Sequence, residues 1–311
     1  MPKHSHLRKN RGIADRLEKL ATDRPVLLSF LVFLVVTVLV VTFSIPFFRR
    51  NPEDLMTNIM AEAYGMAMDL LIIGWFITWM NRRAERRIMI RGYLEEIENF
   101  LRWESVEAMH RIASSIRRLN QEGFTELELE HAYLHGAYLV EVNLAGARLR
   151  NATLSNAKLE RAILQRTDLA GADLGMANCM ETDLYQANMV DANCRGTYML
   201  RTNLEGAYLK RTNLQGAYLV EANMRSTSLG EATLQGAFLE RADLRGAYLE
   251  DSNLEHAKSL FEARLDPDVE ERLRQNHPQL FEGSKLPTAD ATDNATELEQ
   301  NANPIVTSTA P

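Results

Sequence analysis

Hydrophobic and polar positions follow three different rhythms along the chain, and each predicts a different element. Residues 25–48 read PVLLSFLVFLVVTVLVVTFSIPFF, without one charge. As a helix rising about 1.5 Å per residue this run is about 36 Å long, more than the roughly 30 Å of a bilayer's hydrocarbon core. Residues 63–80 form a second apolar run, broken only by Asp69 and about 27 Å long by the same rise. Through residues 81–123 the apolar positions fall near a seven-residue rhythm, at Ile90, Leu94, Ile97, Leu101 and Ala108. Glu104 and Ser115 interrupt it, and Ile112, Ile116 and Leu119 continue on a shifted stripe. That pattern predicts an amphipathic helix that packs on the end of the next domain or pairs with a second copy. Gly123 is placed to stop it.

The third rhythm is the most regular. From Leu134 to Leu254 every fifth residue is apolar, over 25 positions, and 20 of them are Leu. Cys179, Met189, Cys194, Met199 and Met224 are the others. Two residues before each stands a small one, most often Ala and otherwise Thr, Val142 or Ser252. A period of five fits neither the 3.6 of a helix nor the 2 of a strand, and so long a repeat signals a solenoid. If each pentad forms one side of a square, four close a coil. The large apolar residue then fills the tube and the small one points inward near a corner. Coils stacked at about 4.8 Å make a rod of about six coils and about 30 Å.

This segment resembles the pentapeptide-repeat family, whose pattern is A-[D/N]-L-x-x and from which Thr167-Asp168-Leu169 differs only by Thr for Ala. The fold the resemblance implies is an all-β solenoid, a right-handed quadrilateral β-helix. The departures are mild: Thr for Ala at Thr182, Thr202 and Thr212, and sulfur residues for Leu from 179 to 199. The ends of such a rod must be covered. Asp266 reads as an N-cap with Pro267 at the first helical position, and Val269, Leu273, Leu280 and Phe281 are placed to cover the last coil. The segment before Asn120 is placed to cover the first.

Charge then orients the spans. Residues 1–24 carry seven Lys or Arg, residues 81–91 carry five, and the connection between the spans carries two, Arg49 and Arg50. The positive-inside rule puts both termini in the cytoplasm. The basic start is too long, and the apolar core too extended, for a cleaved signal peptide. The expected organisation is a basic N-terminus (1–24), a transmembrane hairpin (25–48 and 63–80, joined by an external loop 49–62), and a connecting helix (81–123). A β-helix (124–259), a capping helix (260–283) and a disordered tail (284–311) follow. The expected location is a multi-pass protein of a bacterial plasma membrane or a thylakoid-type internal membrane.

The chemistry of catalysis is missing from the sequence. There is no G-x-S-x-G, Walker loop, H-E-x-x-H or G-x-G-x-x-G, and no enzyme, metal or cofactor is expected. Two Cys are too few for a disulfide framework or an all-thiolate zinc site. Cys179 and Cys194 are fifteen positions apart, on different sides of the square, and with Met189 and Met199 they read as core filling. Asp69 reads as a polar contact between membrane helices, or as part of a transport or ion pathway.

What remains is outer surface. Twenty-residue spacing stacks Tyr198, Tyr218 and Phe238 on one side, a candidate docking face, since exposed aromatics are enriched at interfaces. Tyr208 and Tyr248 fall on another side, and Asn203, Asn223 and Asp243 on a third. Some members of the resembled family are DNA mimics that bind gyrase, which suggests an acidic rod. Residues 128–258 hold 17 acids and 13 bases with mixed signs, and the whole chain carries net charge −7 with pI about 5.6. Nucleic acid is therefore not an expected partner. The expected role is a non-enzymatic, membrane-tethered scaffold or protein-binding module. Its partners are the bilayer, a cytoplasmic protein and a second copy. A transport-linked subunit and a topoisomerase regulator are the alternatives.

Overall fold

The computed structural model describes residue 42 and residues 55–283. The chain divides into two units, Met1–Glu95 and Glu96–Pro311. Three α-helices lie in the described residues: α1 (Leu55–Phe100), α2 (Val106–Gln121) and α3 (Pro267–Asn276).

The first unit requires a correction. No helix among the described residues is long and apolar enough to cross a membrane. The stretch 63–80 is not a separate span but an inner section of α1, which is 46 residues long. It mixes apolar side chains with Asp69, Gly65, Gly74 and Thr78, and runs on into Arg82, Arg83, Arg86, Arg87 and Arg91. Residues 55–62, read as an external loop, are already helical. The second span therefore falls, and with it the two-span membrane hairpin and the multi-pass location with both termini cytoplasmic. The basic N-terminus, the run 25–48 apart from Thr42, and the tail 284–311 lie outside the described residues.

In the second unit the connection is two helices, not one. α1 ends at Phe100, and Ser105 caps α2 by accepting a hydrogen bond from the Ala108 amide at 3.1 Å. The break explains the shifted apolar stripe. Glu96, at the end of α1, accepts from Ser115 Oγ at 2.6 Å and pairs with Arg111 at 3.3 Å. α2 ends in a Schellman motif. Phe124 N donates to Leu119 O and Gly123 N to Asn120 O, both at 2.9 Å, with Gly123 at φ +85°.

The five-residue rhythm builds a square tube. Parallel bridges join residues twenty apart, from Glu128↔Arg148 through Ser228↔Tyr248. Within each pentad the inward Leu donates to the coil above, as Leu159 N to Asn178 O at 2.7 Å. The residue before it donates to the coil below, as Lys158 N to Ala137 O at 2.9 Å. The small residue closes the corner, as Ala162 N to Leu159 O at 3.0 Å. The second residue after the Leu takes a left-handed conformation, as Glu141 (φ 58°) and Arg161 (φ 56°) do. Leu134, Leu159, Leu209 and Leu239 are fully buried, as are Cys179, Cys194, Met189 and Met199.

Threonine fits the Ala position because its hydroxyl finds a carbonyl of the coil below. Thr182 Oγ1 donates to Leu159 O at 2.7 Å, Thr202 to Cys179 O at 2.8 Å and Thr212 to Met189 O at 2.7 Å. A buried hydroxyl without such a partner is costly.

Both ends are closed by side chains that stand in for a missing coil. At the start, Asn120 donates its amide to Asn143 O and accepts from Asn143 N, each at 2.7 Å. One carboxamide thus satisfies both peptide groups of Asn143. At the other end Asp266 occupies the N-cap position of α3, yet its side chain makes no cap hydrogen bond. It accepts instead from Gly246 N, at 3.1 and 3.0 Å. The square continues past residue 259, since Asp243 bridges Arg264. It does so through a bulge. Lys258 N donates to Ala237 O while Ser259 O accepts from Leu239 N, so two residues oppose Phe238.

The inward positions set the sharpest stability contrast. Leu209→Asp places an unpaired charge in the tube, and we expect it to cost several kcal/mol and abolish the folding transition. Lys210→Asp removes only the exposed pair with Glu231 at 3.0 Å, and its melting temperature should change little. Thermal melts followed by circular dichroism check both.

Candidate docking face

Apart from a pocket of about 280 Å³ beside α3, lined by Leu249, Leu254, Val269 and Leu273, the candidate surface among the described residues is built from outward columns spaced twenty residues apart. Each side of the square shows two, one from the residue before the inward Leu and one from the residue after it.

On two sides carboxamide ladders occupy the columns, and on a third they occupy the lower half. The amide just after the inward Leu has no backbone partner, and an Asn or Asp just before the Leu supplies one, as Asp183 Oδ1 does for Tyr185 N at 3.1 Å. The same atom accepts from the coil above, where Asn203 Nδ2 donates to Asp183 Oδ1 at 2.9 Å and Asn223 Nδ2 to Asn203 Oδ1 at 3.1 Å. Asn203, Asn223 and Asp243 are thus tied into the rod. Tyr208 and Tyr248 stand on another side, 56 % and 55 % exposed.

At one corner the charges alternate in sign up the rod: Glu141, Arg161, Glu181, Arg201, Glu221, Arg241, Glu262. Arg201 pairs with Glu221 at 2.9 Å, and Arg241 with Glu221 at 3.5 Å and Glu262 at 2.7 Å. The hydrogen bond from Arg201, with Arg241 adding, holds the Glu221 carboxyl below the usual range.

The fourth side differs. Tyr198, Tyr218 and Phe238 stack with ring centroids 5.0 and 4.9 Å apart and planes within 7° and 3° of parallel. All three are half-buried. Burial pushes the Tyr198 hydroxyl pKa up, and Tyr218 adds to it. The neighbouring column contributes Met180, Leu200 and Val220, also half-buried. Above Val220 in that column comes Glu240, only 6 % exposed and with neither carboxylate oxygen hydrogen-bonded. The sequence reading singled out the three aromatics but missed Leu200, Val220 and Glu240. Applying the twenty-residue spacing to the position after the Leu would have found them.

The other candidates take different places. Asp69 is half-buried on α1. Cys179 and Cys194 are fully buried. Burial pushes the Cys179 thiol up to about 12 and the Cys194 thiol well above its ordinary value. No cluster of His, Cys, Asp or Glu suited to a metal occurs among the described residues.

Comparison with known proteins bears on the square tube. A family model described as pentapeptide repeats matches in eight copies, at residues 128–166, 162–193, 187–225 and 222–258. Residues 128–258 are a pentapeptide-repeat domain. The fold this implies is the right-handed quadrilateral β-helix. Among solved structures, the domain is similar to HetL from the cyanobacterium Nostoc sp. strain PCC 7120, a pentapeptide repeat protein involved in heterocyst differentiation regulation. Identity is 23 %, covering 48 % of this chain and 95 % of that one, with a TM-score of 0.20. The Nostoc protein alr5209 is 29 % identical over 38 % of this chain and 84 % of its own, with a TM-score of 0.18. QnrB1, a plasmid-mediated fluoroquinolone resistance protein, is 15 % identical over 49 % and 85 %, with a TM-score of 0.23. No curated protein matches the chain.

Two measurements probe the pentapeptide-repeat domain's chemistry. A thiol reagent at pH 8 should leave both cysteines unmodified in the folded protein and label two per chain in denaturant. The Glu221 carboxyl is lowered on folding, so its stabilisation is present above the unfolded value of about 4.3 and is lost as pH falls through the folded value. Glu221→Gln should therefore flatten the acid side of the stability profile, by under about 1 kcal/mol since the pair is partly exposed. High salt should shrink the difference.

Proposed function

We propose that the pentapeptide-repeat domain is a non-enzymatic protein-binding module and that its aromatic side is the docking surface. The observation that carries this reading is the contrast between sides. Two are laced with carboxamide ladders and a third combines Asn188–Asp168 and the ion pairs of Arg150 and Lys210 with Tyr208 and Tyr248 separated by Ser228, while the fourth presents Tyr198, Leu200, Tyr218, Val220 and Phe238 as one contiguous patch with no charge among them. The Glu–Arg corner at Glu181, Arg201, Glu221 and Arg241 borders this patch, an apolar centre beside a polar rim of the kind interfaces use. A rod without a cleft binds along a face.

A topoisomerase-directed DNA mimic is less well supported. Such a mimic needs a continuous acidic face, and here acids are interleaved with Arg201, Arg211 and Arg241, each paired to a neighbouring coil.

The stacked rings serve stability as well as any partner, so the decisive variants lie in the column beside them. Leu200→Ser and Val220→Ser should weaken capture of co-purifying proteins by the full chain several-fold while lowering the melting temperature by only a few degrees. Tyr218→Ser should lower both. Unchanged capture by the two serine variants, with their fold intact, would remove the docking reading.

A further inference from the structure

The aromatic side carries charge only at its ends. Lys158 and Glu160 lie below the ring stack, in adjacent columns, and Glu240 and Lys258 lie above it. Both lysines are exposed. Glu240 is buried with both oxygens unpartnered, an arrangement that calls for a counter-charge. Lys258 lies above Phe238 in the ordinary register, its amide donating to Ala237 O, and the bulge adds Ser259 beside it.

We propose that this side is the interface between two copies of the chain, lying parallel and related by a twofold axis along the rod. The proposal rests on the docking reading and names the occupant. The argument is one of symmetry and charge. A twofold axis parallel to the rod lays each column on its neighbour's column at equal height. Lys158 then faces Glu160 of the second copy, and the reverse. Tyr198 faces Leu200 and Tyr218 faces Val220. Glu240 faces Phe238, with Lys258 of the second copy one coil higher, about 4.8 Å along the axis. The Lys158–Glu160 pairing is thus made twice, and Glu240 lies diagonal to Lys258 of the second copy.

An antiparallel pair behaves differently, because each column is laid on itself with heights reversed. Centred on Tyr198, it sets Glu160 against Glu240. Centred between Tyr198 and Tyr218, it sets Lys158 against Lys258. Like charges oppose in both cases, and the register centred on Tyr218 sets Glu240 against Leu200 and Lys258 against Asn178, pairing no opposite charges, so only the parallel arrangement gains from charge. Six coils at about 4.8 Å give a face about 29 Å long, and a five-residue side spans at most about 17 Å, so the face is at most about 500 Å², below the roughly 800 Å² per partner of a standard interface. The dimer is therefore reversible and concentration-dependent.

Sedimentation of the full chain over a wide concentration range tests this. The wild type should pass from monomer to dimer. Lys158→Glu and Glu160→Lys should each raise the concentration needed by about tenfold. The double variant Lys158→Glu/Glu160→Lys should regain wild-type behaviour, because the exchanged charges again face opposite signs in a parallel pair. A double variant as weak as either single one overturns the parallel pairing. Oxidation supplies a second readout. Tyr218→Cys with Val220→Cys should cross-link two copies, and Tyr218→Cys alone should not. Cross-linking through Tyr218→Cys alone overturns the proposal, since only an antiparallel pair sets that column on itself. A wild-type chain that stays monomeric throughout rules out the second copy. The docking reading would then still stand or fall on capture by Leu200→Ser and Val220→Ser.

Discussion

Peptide hydrogen bonds between coils hold the second unit together. A side of five residues is too short to bond within itself, so its peptide groups reach the coils above and below, as Leu159 N and Lys158 N do. The twenty-residue register is the geometric condition for those bonds. It forces the corner residue into the left-handed region, for residues as large as Arg161 and Glu181, at a cost of about 1 kcal/mol or more each. Apolar filling of the tube and the cross-coil ladder offset that cost. The same register decides where unpaired peptide groups remain. They occur at the two ends, where Asn120 and Asp266 replace the missing coil with a carboxamide and a carboxylate.

The outer columns solve smaller problems left by this scheme. The amide after each inward Leu lacks a backbone acceptor, and Asp168, Asp173 and Asp183 supply one from two residues earlier. This is the physical reason for Asp or Asn in the repeat pattern. Where Tyr198, Tyr218 and Phe238 take that position, ring stacking replaces the carboxamide ladder and holds the coils in line through apolar contact. The exchange frees one side of polar atoms. A face suited to another protein thus arises from the choice of what clamps coil to coil.

The inward columns were legible in the sequence because one simple chemical demand recurs every five residues: fill the tube. Alternation at the Glu141–Glu262 corner was equally present but spread over twenty-residue steps, too long for a windowed reading. End chemistry was harder still. Asp266 before Pro267 carries an ordinary N-cap signal, and only the open peptide at Gly246 diverts its carboxylate. Asn120 sits at the end of an amphipathic helix like any polar residue, and its role depends on Asn143, far along the chain and close in space. The second membrane span was misjudged for another reason. A hydropathy reading of 63–80 treats the run as an isolated segment, whereas the backbone carries it inside the continuous helix α1. The docking residues were half visible, since the aromatic column announces itself by ring chemistry and Leu200 and Val220 do so only by position.

The bulge at Lys258 and Ser259 acts on copy number. Below it, any coil could be duplicated or lost as a block of twenty residues, and each neighbour would still meet an equivalent partner. Above it, bridges pair residues twenty-one apart, as Phe238 with Ser259 and Asp243 with Arg264. A further standard coil would inherit the offset at that side and lose its fit. The bulge therefore makes the last coil a terminus that unequal recombination cannot readily extend, while the body beneath stays free to lengthen or shorten. The length of the rod, and so the span of any surface it presents, becomes a trait that evolution can adjust in fixed steps.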